Sequence, residues 1–243
     1  MMIYGRNPVF EALASGSAEL VLVAAGIQKR TEHEVRKAAQ RADVPVRIVP
    51  RIELDTLLKT TNHQGLAAEV AETQTVTLGA LIARAKEQPG YSLFVLVDHI
   101  TDPRNLGAII RSADAFGAVG VVVEERRSAP INATVAKAAA GATAHVPVAV
   151  VTNLPRAIAE LKDANVWVYG AAGEAHPESL ARTDFKRDVG IVIGSEGDGL
   201  RRLVRERCDD LISIPMHGSI NSLNASVAAG ILLYHVRNQQ TTG

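Results

Sequence analysis

Three polar stretches in the second half of the chain carry residue types that can hold and orient a polar ligand. The first reads Asp102-Pro103-Arg104-Asn105 and is followed six residues later by Arg111. An asparagine both donates and accepts hydrogen bonds, and an arginine is a permanent cation suited to a phosphate or a developing oxyanion. The second reads Gly194-Ser195-Glu196-Gly197-Asp198-Gly199. Its glycines permit close backbone approach to a ligand and dihedrals that other residues avoid. Their order is G-x-x-G-x-G, neither the dinucleotide fingerprint G-x-G-x-x-G nor a P-loop, since no Lys-Ser/Thr pair follows. The third runs from Ile214-Pro215-Met216 to Ser222-Leu223-Asn224-Ala225-Ser226. Taken singly, each stretch also reads as an ordinary cap or turn.

The elements around these stretches give them a common place. Each follows an apolar run: Leu93–Val97, Val189–Ile193 and Leu211–Ile214. Further runs lie at Val119–Val123, Val146–Val150 and Val166–Tyr169, with helical patterns between most of them. Several are apolar on successive residues, as expected of parallel strands buried on both faces. Strand-helix alternation of this kind predicts an α/β fold with an open parallel sheet. Ligands then bind beyond the carboxyl ends of the strands, where the three stretches fall.

Local signals refine the picture. Either Asp102, with Pro103 at the first helical position, or Asn105 can cap the helix that follows. Leu106, Ile109, Ile110 and Ala113 form its core-facing stripe, and Gly117 is placed to end it. Helical side chains lean toward the N-terminus, so Arg111 can reach back toward the strand end. A last helix is expected from near Ser222, with Leu223, Val227, Ile231 and Tyr234 on one face. The small Ala228, Ala229 and Gly230 would admit another helix closely, within the fold or across a dimer.

The first part of the chain reads as a small α/β unit. Strands are expected at Leu20–Val23, Val44–Val49 and Leu66–Val70, and helices around Glu32–Arg41 and Glu53–Lys59. Its nine Lys+Arg are balanced by nine Asp+Glu through Glu72. Residues 73–90 carry a short helical pattern, Leu78–Glu87, before the breaker cluster Gln88-Pro89-Gly90, and read as a linker. The division expected is therefore residues 1–72, a linker over 73–90, and residues 91–243.

Composition bounds the function. Of 243 residues, 47% are hydrophobic and 21% charged, as in globular proteins, which argues against disorder. Aromatic residues are 4%, so the cores must be aliphatic. Formal net charge is zero, so a nucleic-acid site would have to be a local patch. The single cysteine, Cys208, excludes an internal disulfide and reads as a structural thiol. No metal-ligand spacing surrounds it, and no metal site is expected. The N-terminus lacks the apolar run of a signal peptide and no stretch is long enough to cross a bilayer, so a cytoplasmic location is expected.

Taken together and in order, the three stretches resemble the signatures of the SpoU, or TrmH, family of RNA ribose 2′-O-methyltransferases in the SPOUT superfamily. Only Ala225 departs, where members often carry valine. The resemblance implies a C-terminal parallel-sheet methyltransferase domain with a trefoil knot, preceded by a small N-terminal α/β substrate-binding domain. It implies S-adenosylmethionine as the cofactor, held by Gly194, Ile214, Met216 and Leu223, with Gly170 and Ala171 as a further lining. Arg111 becomes the central catalytic residue, with Asn105, Ser222 and Asn224 arranging it and the substrate. Glu196 is the other ionisable candidate, in a structural or cofactor-side role. A guanidinium stays protonated, so Arg111 is read as a cation that stabilises the developing alkoxide and holds an adjacent phosphate.

Ile3-Tyr4-Gly5 and His63-Gln64-Gly65 extend the likeness to a branch that methylates a guanosine in the peptidyl-transferase region of large-subunit ribosomal RNA. The implied partners are that RNA and a second copy of the chain, with no DNA and no membrane. Two alternatives stand beside this reading: the same chemistry on a transfer-RNA guanosine, and a non-catalytic RNA-binding protein of ribosome assembly. A nucleotide-dependent oxidoreductase is disfavoured by the glycine order.

Overall fold

The computed structural model describes residues 2–70, 75–173, 179–219 and 222–242. In chain order the elements are β1 (Met2–Tyr4), α1 (Arg6–Ser15), β2 (Ala18–Ala24), α2 (Lys29–Ala42), β3 (Val46–Val49), α3 (Arg51–Leu58), β4 (Leu66–Val70), β5 (Thr75–Val76), α4 (Leu78–Glu87), β6 (Leu93–Val97), α5 (Pro103–Ala115), β7 (Gly120–Glu124), α6 (Ala133–Ala138), β8 (Val148–Val151), α7 (Leu154–Asp163), β9 (Trp167–Ala171), α8 (Ser179–Arg182), β10 (Val189–Ile193), α9 (Arg202–Arg207), β11 (Asp210–Ile212) and α10 (Ala225–Thr241). They group into two compact units, residues 1–73 with 131–137, and residues 74–130 with 138–243.

In the first unit, a four-stranded sheet has the order β1-β4-β2-β3. Strand β2 runs parallel to β3, and β4 is antiparallel to both β1 and β2. Side chains alternate across the sheet as the two-residue period requires. Val21, Val23, Leu66 and Ala68 face Val9 and Leu13 of α1 and Val35 and Ala39 of α2. Leu22, Ala24 and Ala67 face Leu54 of α3 on the other side. His63-Gln64-Gly65 forms a tight turn into β4. Its imidazole is fully buried. Nδ1 accepts from the Gly65 N–H at 3.0 Å and Nε2 lies 2.7 Å from Asp55 Oδ1. Gln64 Oε1 accepts the Arg6 N–H at 2.9 Å, and Gln64 and Gly65 both take positive φ. These groups serve the fold, and the imidazole has no surface left to offer an RNA.

The second unit holds a seven-stranded, all-parallel sheet in the order β11-β9-β10-β6-β7-β8-β5. All five residues of β6, β7 and β10 are buried, which is why those runs are apolar without alternation. Within residues 73–90, Thr75–Val76 pairs with β8, and Leu78 and Leu81 of α4 are buried in this unit's core. One face of the sheet packs Phe94, Leu96, Val122 and Val192 against α4 and α7. Helices α5 and α10 pack together, α5 contacting β7 and α10 contacting β10. Among the described residues, no helix is long and apolar enough to cross a membrane.

Arg237 joins the far ends of α5 and α10. Its guanidinium donates to the carbonyl oxygens of Phe116 (2.8 Å), Gly117 (2.7 Å) and Tyr91 (3.0 Å), and to Gln240 Oε1 (2.9 Å). The last carbonyls of a helix lack intrahelical partners and favour a cation. Burial pushes the Arg237 pKa below its ordinary value, so these contacts offset a desolvation cost. Charge-assisted hydrogen bonds contribute about 1.5–3 kcal/mol each before overlap and solvent exposure are allowed for. Arg237→Met is therefore expected to lower unfolding free energy by about 2–3 kcal/mol, measured by urea denaturation. An unchanged midpoint would remove Arg237 from the account of how α10 is held.

Cys208 donates from Sγ to the Val204 carbonyl at 3.3 Å and packs against the core. Burial pushes its thiol from the ordinary 9.0 up to about 12, with the nearby Asp209 charge adding to the shift. Its proton is held more tightly folded than unfolded. The stability linked to it is complete below the unfolded pKa and declines as pH rises toward the folded one. Iodoacetamide near pH 9 should alkylate the native chain at least about tenfold more slowly than the chain in denaturant. Equal rates would show an open, reactive thiol.

Candidate active site

The strand order locates the site. From β6 the chain moves through β7 to β8 on one side, while β9, β10 and β11 lie on the other. The β6–β10 boundary is thus a topological switch point, where the loops beyond two neighbouring strand ends part and leave a crevice. The loop after β6 leads into α5 and the loop after β10 carries the glycines.

At the head of α5, Asp102 is the cap: its Oδ1 accepts the Arg104 N–H at 2.8 Å, with Pro103 in the first turn. That choice frees the Asn105 side chain, which donates from Nδ2 to Glu196 Oε1 at 2.9 Å. Asn224 caps α10, its Oδ1 accepting the N–H groups of Ser226 (3.0 Å) and Val227 (3.4 Å). The Asn224 Nδ2 donates to Asn105 Oδ1 at 3.0 Å and also to Glu196 Oε1. The Ala225 N–H reaches the same carboxylate oxygen at 3.3 Å. Glu196 therefore sits at the positive end of α10, where a carboxylate is favoured. Three loops separated by as many as 119 positions meet in one hydrogen-bonded group.

The glycine loop is shaped for this. Ser195 and Gly199 exchange both backbone hydrogen bonds at 3.1 Å, closing it on itself. Gly197 and Gly199 take φ of 90° and 64°, a region that disfavours side chains. A Cβ on Gly194 would overlap the Gly199 carbonyl and lie 2.7 Å from Leu200 N, so the closed loop admits only glycine there.

The remaining candidates are placed differently. Arg111 is exposed and, among the described residues, makes no hydrogen bond or ion pair; it lies outside the Asn105–Glu196–Asn224 group. Ser222 is also exposed and unpaired among the described residues. Met216 and Leu223 are 38% and 36% exposed and Ile214 is half-buried, so each keeps apolar surface open. Gly170 is buried, and a Cβ there would meet Leu200 Cδ1 at 2.6 Å and Leu211 Cδ2 at 2.9 Å; its smallness seats the end of the glycine loop. Ala171 follows it, half-buried, at the end of β9.

One cluster at the same strand ends went unread in the sequence. Asp98, fully buried just past β6, and Glu124, buried at the end of β7, both bind Arg201 at the end of the glycine loop. The available signal was an acid directly after each apolar run.

Residues 92–234 match the SpoU rRNA Methylase family, and residues 2–76 match the domain described as RNA 2′-O ribose methyltransferase substrate binding. A Bacillus subtilis protein named for the TrmH family of tRNA/rRNA methyltransferases is 42% identical over 235 residues, 96% of this chain and 94% of that protein. A Staphylococcus saprophyticus protein named for the same family is 42% identical over 237 residues, 97% of this chain and 94% of its own length. Among solved structures, the SpoU methyltransferase AviRb from Streptomyces viridochromogenes superposes with a TM-score of 0.65 at 26% identity, covering 100% of this chain and 90% of that one. AviRb has also been crystallised with the cofactor AdoMet; that structure has a TM-score of 0.65 and 24% identity over 100% of this chain and 91% of its own, and shows the shared fold. With both parts of the chain matched and its three motif loops gathered at one crevice, the chain belongs to the SpoU, or TrmH, family of RNA methyltransferases.

Proposed function

We propose that this protein transfers a methyl group from S-adenosylmethionine to the ribose 2′-hydroxyl of a guanosine in 23S ribosomal RNA. The observation that carries the reading is the Asn105–Glu196–Asn224 group, which brings all three motif loops to the switch point of the sheet. Residues 1–72 act as the substrate domain and 91–243 as the methyltransferase domain, in the cytoplasm, with 73–90 joining them in sequence while β5 and α4 pack as part of the second.

The residues present fit the cofactor. Ile214, Met216 and Leu223 leave apolar surface open, and among the described residues the main chain of Ile214 to Gly218 makes no hydrogen bonds. Unpaired amides and carbonyls beside apolar side chains suit an adenosyl group. Gly194 at the loop mouth and Gly170-Ala171 at the end of β9 complete the lining. When bound, S-adenosylmethionine supplies an electrophilic methyl carbon on a sulfonium.

Methyl displacement requires in-line geometry, so the chain's task is alignment and charge stabilisation. Asn105 and Asn224, locked through Glu196, hold the ribose in place, and Ser222 adds a hydroxyl contact. Among the described residues Arg111 has no hydrogen bond or ion pair to release, so its guanidinium is free to take a substrate phosphate and to stabilise the oxygen as its proton passes to water.

The path after β11 supports the knot: the chain leaves the sheet edge beside β9 and returns to place Asn224 over β10 and β6. Val227, Ile231 and Tyr234 lie exposed along α10, a face for α10 of a second copy in a homodimer.

The test incubates purified protein with radiolabelled S-adenosylmethionine and either ribosomal or transfer RNA, then maps the product by mass spectrometry. A 2′-O-methylguanosine in 23S RNA is expected. Label in transfer RNA alone would overturn the substrate assignment, and RNA binding without methyl transfer would overturn the enzyme.

A further inference from the structure

The glycine loop is held at both feet by one buried residue, Asp98, through its main chain at the start and its carboxylate at the end. At its start, the Asp98 N–H donates to the Ile193 carbonyl at 2.8 Å. At its end, the Arg201 N–H donates to Asp98 Oδ2 at 2.8 Å and Arg201 Nε to Asp98 Oδ1 at 2.6 Å. The remaining arm of the guanidinium, Nη2, reaches Glu124 Oε2 at 2.6 Å, while Glu124 Oε1 accepts the Leu154 N–H at 3.4 Å. The Asp98 side chain is 0% exposed, Glu124 6% and Arg201 24%. The brace thus spans the carboxyl ends of β6, β7 and β10. Four residues beyond Asp98, Asp102 caps α5; five residues before Arg201, Glu196 carries the hydrogen bonds to Asn105 and Asn224.

A surface ion pair would contribute little, but here both carboxylates are buried, and Asp98 accepts the Arg201 guanidinium on one oxygen and its backbone N–H on the other. Only a planar guanidinium offers Nε to one acid and Nη2 to another at fixed separation; a lysine ammonium is a single point charge on a flexible stem. Removing either partner would leave a buried charge unpaired at a loop whose shape depends on it.

We propose that Arg201, clamped by Asp98 and Glu124, is a positioning residue for methyl transfer, acting through Glu196 by fixing the glycine loop against the head of α5. The catalytic consequence rests on the function proposed above; the bracing of the loop does not.

Two measurements separate them. Amide hydrogen exchange on the full chain reads the loop directly: Arg201→Met should speed exchange of the Ser195 and Gly199 amides at least about tenfold, because their mutual bonds close the loop. Steady-state methylation with Arg201→Met should show kcat falling by about 10- to 100-fold, the effect of displacing a reacting group by about 1 Å. Arg201→Lys should recover part of that loss. In a chain already carrying Glu196→Gln, Arg201→Met should cost little further turnover, since its effect passes through that carboxylate. A role in folding alone predicts additive losses instead. Glu124→Gln, which keeps the Asp98–Arg201 contact, serves if Arg201→Met does not fold, with a smaller shift in the same amides. Unchanged amide exchange, or additive losses with Glu196→Gln, would overturn the proposal. If the wild-type chain methylates no RNA ribose, the functional reading fails, and amide exchange still decides the brace.

Discussion

Arg111→Ala should lower kcat for methyl transfer by about 10²–10³-fold, the usual loss when one donor to a developing oxyanion is removed. Cofactor affinity, read by calorimetry, should change by no more than about twofold, because Arg111 is exposed and makes no hydrogen bond or ion pair among the described residues. Stability should also hold, since no hydrogen bond or ion pair among the described residues is lost. The substitution series tests the chemistry. A cation that stabilises charge predicts Arg111→Lys well above Arg111→Met, since lysine keeps the charge and loses only the fork. A proton-accepting arginine predicts the two variants equally inactive. Near-normal turnover in Arg111→Ala would remove the residue from the mechanism.

Gly194→Ala should be as damaging for a different reason. The added methyl would overlap the Gly199 carbonyl, so the Ser195–Gly199 pairing must open. Glu196 lies inside that loop, and its displacement releases Asn105 and Asn224 together. Turnover should fall by about 100-fold, and cofactor affinity by about tenfold. Gly79→Ala is the control, a helical glycine whose new Cβ would come no closer than 3.9 Å to Thr77 Oγ1. It should leave activity unchanged and raise stability by about 0.5–1 kcal/mol. Wild-type turnover in Gly194→Ala would mean that the closed loop is not the working form.

The strands of the sheet were legible because parallel strands buried on both faces leave unbroken apolar runs. Leu93–Val97 and Val189–Ile193 have the expected bounds, and Leu78–Glu87 is helical as its pattern predicts. What escaped was short or weakly patterned. Strand β1 has three residues, and α1 begins at Arg6 after the N-cap Gly5, which has no side chain to cap it, and carries a proline in its first turn. Strand β5, two residues long, becomes a strand only because β8 lies alongside it. The last helix starts at Ala225, beyond the expected Ser222, because Asn224 supplies the cap.

At the site, local chemistry decided some questions and left others to the packing. Asp102 and Asn105 were equal as caps in the sequence; Asp102 takes the role and Asn105 turns to Glu196. Glu196 was read in a structural or cofactor-side role, and it is the acceptor on which three donors converge. Asp98, Glu124 and Arg201 drew no notice because their partners are as many as 103 positions away. His63, one of the residues that carried the resemblance of the first part of the chain, is buried.

Residue order alone determined the strand runs, the helix stripes and the motif loops, because periodicity and turn chemistry act over a few neighbouring residues. Tertiary structure alone decided which side chains share a hydrogen bond. Pairings between remote loops depend on strand order, and strand order is set by burying the whole sheet at once, a condition no local pattern encodes.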